Sequence, residues 1–274
     1  MTIEINPDHV TELYMKELQQ LGFNRFSFGI QSFNAEKRTA LGRLHSDKDI
    51  KNIITITSGL TNYSVDLMFG LEMDTKLLKE ELAALTALRP PHISLYNLKI
   101  EPGTPFESAV ANGSIKIADD DAQADQYNLI RKTLTEAGYR HYEISNFCLP
   151  GFASEHNLKY WRMTPWYGIG PGAAGYNGII LKTVGKDLSA YINGTCDSLT
   201  ENLSAVDIRR YEIMMGLRTD EGVTLTDKET GSVQNDDRLS EFIIFEKNRL
   251  MIKQDHWFVS NGIIAEVLGS LGLE

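Results

Sequence analysis

The chain has 274 residues, a net charge of −10 at neutral pH and a pI near 5.2. Its 42% hydrophobic and 23% charged residues are ordinary for a globular protein with a sizeable core. The acidic balance argues against broad nucleic-acid binding, no apolar run reaches the ~18 residues of a membrane span, and Met1 to Ile5 carries no secretory signal.

In chain order, Ile3-Glu4-Ile5 reads as a short strand stopped by Asn6-Pro7, which suits an N-cap with proline at the first helical position. Val10, Leu13, Tyr14, Leu18 and Leu21 then recur at helical spacing up to Gly22. Arg25 to Phe33 is nearly continuous in apolar content, as in a strand buried on both faces. Ser46 with Asp49 predicts a capping box ahead of Ile50, Ile53 and Ile54. Ser64 to Phe69 is a third strand, Leu78, Leu82 and Leu85 mark a helix closed by Pro90-Pro91, and His92 to Leu98 is a fourth strand. Strand and helix in alternation mean parallel βαβ connections and an α/β fold, closed as a barrel or open. No GxGxxG follows any of these strands, which lowers a dinucleotide-binding reading.

After the turn-rich Glu101 to Pro105, Asp119-Asp120-Asp121 predicts a helix start running to Ala137-Gly138, ahead of Tyr142-Glu143-Ile144. Pro165 to Gly178 is glycine-rich, and Ser204 with Asp207 predicts a second capping box. The tail reads as a helix near Leu239 to Phe245, two short strands around Gln254-Asp255 and a helix from Ser260: a helical, winged-helix-like module. From Ser204 to Glu274 it holds 8 basic against 13 acidic residues, so it is read as packing or lid and not as a DNA reader. Two cysteines, Cys148 and Cys196, without CxxC, suit a reducing, cytoplasmic setting and no disulfide framework.

Ligands of parallel α/β sheets sit at the carboxyl ends of the strands. Glu4, Gln31, Arg43 and Asp66 therefore describe a polar rim able to hold a zwitterionic, hydroxyl-bearing ligand. The plainer alternative for Asp66 is a structural role, capping a neighbouring turn or binding a backbone amide. His156, Asn157, Tyr160 and Trp161 fall within six residues and could grip a flat, polar-edged molecule, with His156 as an iron ligand. A packed aromatic corner is the alternative there. The glycine run Gly168 to Tyr176 is no P-loop and admits either a close backbone approach or a tight turn.

IEINP (3–7), GFNRFSFGIQSF (22–33), LGRLH (41–45), VDLMFGL (65–71), SLYNLKIEPGTPF (94–106), YEISNF (142–147), HNLKYW (156–161) and GIGPGAAGY (168–176) occur in this order. In them the chain resembles the oxygen-independent coproporphyrinogen III oxidase family of radical S-adenosylmethionine proteins. HNxxYW points to its heme-chaperone (HemW-like) branch. The resemblance implies a partial (βα) barrel, with about four of six strands present, and a C-terminal helical domain. Residues 1–180 read as the truncated barrel and its extension, and 181–274 as the C-terminal domain.

By resemblance, Glu4, Gln31, Arg43 and Asp66 fall on the S-adenosylmethionine contacts, with further backbone contacts near Lys99 and Ala174. His156, Asn157, Tyr160 and Trp161 fall on a motif for heme. The family's [4Fe-4S] cluster is held by CxxxCxxC, which this chain lacks, so radical cleavage is not expected of it. Glu72 stands where the family usually has proline, and Ala174 where histidine is common. The expected function is a heme chaperone binding heme and S-adenosylmethionine and serving apo-heme proteins. The alternatives are an anaerobic coproporphyrinogen III oxidase or an inactive fragment, and an exposed sheet edge at Ile3 to Ile5 invites oligomers.

Overall fold

In the computed structural model, which describes residues 1–273, the chain opens with strand β1 (Thr2–Ile5). Asn6-Pro7 ends it in a single 3-10 turn, Pro7–His9, without a side-chain cap. Helix α1 (Glu12–Gln20) starts later than expected, because Thr11 is its N-cap and accepts from the Tyr14 amide. The shift turns the helix, so Met15 and Leu18 are buried while Leu13 and Leu21 are exposed. Strand β2 (Arg25–Gln31), helices α2 (Ala35–Ala40) and α3 (Asp47–Thr57) and strand β3 (Tyr63–Phe69) follow. The capping box of Ser46 and Asp49 is present on α3, whose buried face is Ile50, Ile53 and Ile56; Ile54 is exposed instead.

Helix α4 (Thr75–Leu88) and strand β4 (His92–Asn97) complete four parallel strands. Helices α5 (Pro105–Ala111) and α6 (Asp120–Glu136) precede strands β5 (Arg140–Glu143) and β6 (Asn146–Cys148). These two add antiparallel strands, giving the sheet order β1-β2-β3-β4-β6-β5. The chain divides into two compact units, Met1–Ala153 and Ser154–Glu274.

The register of the first unit sorts its side chains by chemistry. Ile5, Phe28, Val65, Ile93 and Phe147 pair in one row across five strands, all buried and apolar. The helices add Ile53, Leu82, Leu85 and Ile130 to the core, each worth about 1.5–3 kcal/mol when fully buried. One residue away, Glu4, Ser27, Ser64 and His92 pair in a second row, with Asp66 against Ser94 beside it. A strand's side chains alternate between faces, so the sheet is apolar on one face and polar on the other. The reading of Arg25 to Phe33 as nearly continuous in apolar content is corrected accordingly: β2 carries Ser27, Gly29 and Gln31 on its polar face, where Ser27 is nonetheless buried.

The second unit opens with α7 (Glu155–Trp161). Strands β7 (Ala174–Tyr176) and β8 (Ile180–Val184), helix α8 (Leu188–Ile192) and strand β9 (Ser198–Asn202) follow. They form a three-stranded antiparallel sheet, β7-β8-β9, which the sequence reading did not foresee. Helix α9 (Ala205–Gly216) carries the second expected capping box, Ser204 with Asp207. Strand β10 (Val223–Thr224), helix α10 (Asp227–Gln234), strands β11 (Ile243–Glu246) and β12 (Arg249–Ile252) and helix α11 (Ser260–Leu271) complete a helical module with a small β wing. The helix expected near Leu239 to Phe245 is instead a turn leading into β11, whose residues pair antiparallel with β12. The strands expected around Gln254-Asp255 lie earlier, and Gln254–Val259 is a 3-10 helix fixed by the Trp257 indole donating to the Ile252 carbonyl at 3.0 Å.

Candidate functional site

At the carboxyl ends of β1, β2 and β3, Glu4, Asn6, Gly29, Gln31, Arg43 and Asp66 line one cavity of about 340 Å³. The four residues expected to form a polar rim are thus brought together. Gln31 sits where the β2–β3 register shifts, with φ at 63°, a left-handed conformation that side-chain-bearing residues rarely adopt. A Cβ on Gly29 would stand 2.9 Å from the Gln31 amide nitrogen, so glycine there leaves room for that amide.

Asp66 accepts hydrogen bonds from Ser27 Oγ at 2.8 Å and Ser64 Oγ at 3.1 Å. Burial raises its pKa, the serine hydroxyls oppose that rise, and the charge of Glu4 adds to it. Ser64 Oγ also meets His92 Nδ1 at 2.8 Å, and His92 Nε2 meets the Tyr142 hydroxyl at 2.8 Å. Burial holds His92 down at about 3, so it stays neutral and bonds as a plain imidazole. A hydrogen-bonded line therefore runs from Tyr142 through His92 and Ser64 to Asp66, fixing the carboxylate from behind. Farther along the sheet, Glu143 is pushed up to about 7 by burial while accepting from Asn146 and the Ser145 amide. The sequence reading missed Ser27, Ser64, His92 and Ser94. Their signal was polar residues two apart in apolar strands, as in Ser64-x-Asp66 and His92-x-Ser94.

Lys99 and Glu72 lie outside this cavity lining and make exposed ion pairs, with Glu101 at 3.0 Å and Lys116 at 3.9 Å. Such pairs contribute little.

In the second unit, the Ser154 hydroxyl caps α7 by accepting from the Asn157 backbone amide at 3.4 Å, and donates in turn to Asn157 Oδ1 at 3.1 Å. His156 is exposed, and its Nε2 shares a hydrogen bond with the Tyr160 hydroxyl at 2.9 Å, the expected i, i+4 reach. Ring contacts continue from His156 to Tyr160 at 5.0 Å, to Trp166 at 4.8 Å and to Tyr176 at 5.2 Å. Trp161 is not in that series; it borders a separate cavity with Arg162 and Glu221. The structure thus brings His156 and Tyr160 together, gives Asn157 a capping role, and supplies Trp166, which the sequence reading had not singled out. Ala174 belongs to β7, where its carbonyl accepts from the Trp166 indole at 3.0 Å.

No family model matches the chain. The heme chaperone HemW of Lactococcus lactis is 34% identical over 229 residues, which is 81% of this chain and 60% of that protein. HemW of Synechocystis is 34% identical over 236 residues, 82% of this chain and 57% of its own length. HemW of Escherichia coli reaches 40% identity over 192 residues, 67% of this chain and 49% of that one. The chain thus spans between about half and three fifths of these curated relatives. Among solved structures, the radical SAM coproporphyrinogen III oxidase HemN of Escherichia coli superposes with a TM-score of 0.76 at 18% identity, over 97% of this chain and 68% of that protein. That likeness agrees with the fold expected from the sequence.

Proposed function

The chain belongs to the coproporphyrinogen-oxidase-like family that includes the heme chaperones, and from that membership we propose that it binds heme and S-adenosylmethionine as a protein of the chaperone branch. The observation that carries the heme part is the ring series begun by His156. An exposed imidazole can reach iron from solvent, and the rings beside it offer flat apolar surface to a macrocycle. To hold iron through Nε2, His156 would have to give up its hydrogen bond with the Tyr160 hydroxyl. Apo-heme proteins are the recipients this reading implies, and a reducing cytoplasm suits the two free thiols.

The donor set at the strand ends fits S-adenosylmethionine. Arg43 can take its carboxylate, Glu4 its ammonium, and Asp66 its ribose hydroxyls, with Gln31 offering an amide to the remaining polar edge. The serines behind Asp66 hold that carboxylate in place before the ligand arrives. When bound, such a ligand supplies a sulfonium carbon–sulfur bond open to reduction.

A [4Fe-4S] cluster does not fit the residues present. Cys148 is buried within β6, Cys196 belongs to the second unit, and no three His, Cys, Asp or Glu converge among the described residues.

A heme titration followed at the Soret band tests the central claim. The wild-type chain is expected to shift the band, and His156→Ala to weaken that shift. An unchanged titration in the variant would remove His156 from heme handling.

A further inference from the structure

Beside the ring series, β7 and β8 border a second cavity, of about 370 Å³. Ile180, Lys182 and Val184 line it from a single face of β8, since side chains two apart project to the same side. Trp166 and Tyr176 add their rings. A backbone bridge pairs them, the Trp166 amide donating to the Tyr176 carbonyl at 2.8 Å and the Tyr176 amide donating back at 2.9 Å.

The polar tips of both rings are already satisfied. The Trp166 indole donates to the Ala174 carbonyl at 3.0 Å, and the Tyr176 hydroxyl to the Gly178 carbonyl at 2.8 Å. What these side chains offer the cavity is therefore ring surface, not hydrogen bonding. The glycine run finds its reason here as well. A Cβ on Gly168 would stand 2.2 Å from the Ala174 carbonyl oxygen, so only glycine lets the two segments close up.

The lining chemistry restricts the ligand. It is mostly apolar and aromatic, of a size suited to a small molecule, with no acidic side chain and a single cation, Lys182. Among the described residues Lys182 makes no ion pair. A flat apolar body with a carboxylate at its edge matches all three properties. The cavity also adjoins the heme motif, because Trp166 both lines it and contacts the Tyr160 ring.

We propose that this cavity is where a carboxylate-bearing porphyrin packs, its macrocycle against Trp166, Tyr176, Ile180 and Val184 and one propionate on Lys182. The proposal rests on the heme-binding reading above and adds to it the seat of the macrocycle, separate from the iron ligand.

Metal-free protoporphyrin IX is the probe, since it requires no axial ligand; its fluorescence and the quenching of tryptophan emission report binding to the full chain. Lys182→Glu and Ile180→Asp are expected to weaken binding about tenfold or more. The dimethyl ester, which lacks free carboxylates, should bind wild type and Lys182→Glu alike. His156→Ala should keep its affinity for the metal-free porphyrin while weakening the heme-induced Soret shift. Lys182 is exposed, so its replacement leaves packing intact and decides the matter even if Ile180→Asp unfolds. If Lys182→Glu binds as wild type does while heme still shifts the wild-type Soret band, the cavity assignment is overturned and the heme reading stands. A wild-type chain that binds neither porphyrin overturns both.

Discussion

Gln31 holds a left-handed backbone at the end of β2, a conformation costing roughly 1 kcal/mol or more in a residue with a Cβ. The strain places its amide over Gly29, in the cavity shared with Glu4, Arg43 and Asp66. Gln31→Gly is therefore expected to stabilise the chain by about 1 kcal/mol in thermal melts while weakening S-adenosylmethionine binding measured by calorimetry. Weaker binding with no gain in stability would mean that the left-handed residue costs nothing here. Glu143 makes a second residue-scale case. Its folded pKa, about 7, lies above the ordinary value of 4.5 because burial disfavours the charged form. Between those values the folded chain holds a proton that the unfolded chain has released, so this group lowers stability as pH rises through the window. Glu143→Gln should raise the melting temperature at pH 8 relative to wild type by more than it does at pH 4. Buried His141, like His92 held down at about 3, acts the other way: it favours the folded state above about pH 6.5 and costs stability as pH falls towards 3. The histidines keep their slope in both proteins, so comparing variant with wild type isolates Glu143.

Helix starts were legible as short polar signatures, while the sheet edges of the tail were not. Ser46 with Asp49 and Ser204 with Asp207 form reciprocal caps, each needing only residues three apart in sequence. Ser46→Ala should cost about 1 kcal/mol, read from a chemical denaturation midpoint at unchanged slope. A loss below a few tenths would show that tertiary packing alone holds α3. Leu239 to Phe245 misled because a short apolar run fits either period. What decided for strand was the partner, β12, reached through a two-residue turn at Lys247-Asn248. Lys247 takes a positive φ of 60° there without a glycine to announce it. The β7-β8-β9 sheet was hidden for a related reason: β7 is three residues long and pairs with β8 through Ala174, Gly175 and Tyr176 alone, while Gly168 and Gly175 admit the close approach of residues 166–168.

For the molecule as a whole, β1 pairs only with β2 among the described residues and is an edge of the six-stranded sheet. Met1, just before it in the chain, and Leu13 and Leu21, after it, are each about two thirds exposed, at 65%, 67% and 69%. A strand with one unpaired edge, in a chain that also exposes large apolar side chains, favours pairing with another chain. Concentration-dependent association is the expected behaviour in sedimentation velocity, and Ile3→Lys on β1 should shift it towards monomer. A wild-type chain that stays monomeric across the concentration range would rule out this edge as an interface.

By itself the sequence determined the alternation of strand and helix, the two capping boxes and the membership of the polar rim. These depend on local spacing and on the rule that strand ends carry the ligand. Glu4, Gln31, Arg43 and Asp66 are scattered over more than sixty positions, and the parallel register is what gathers them around one cavity. Only the tertiary structure decided which face of each strand is polar, and so brought Ser27, Ser64 and His92 in behind Asp66. It also gave Trp161 and Trp166 their different surroundings. Both outcomes turn on pairings between distant segments, where a shift of one residue reverses every side chain.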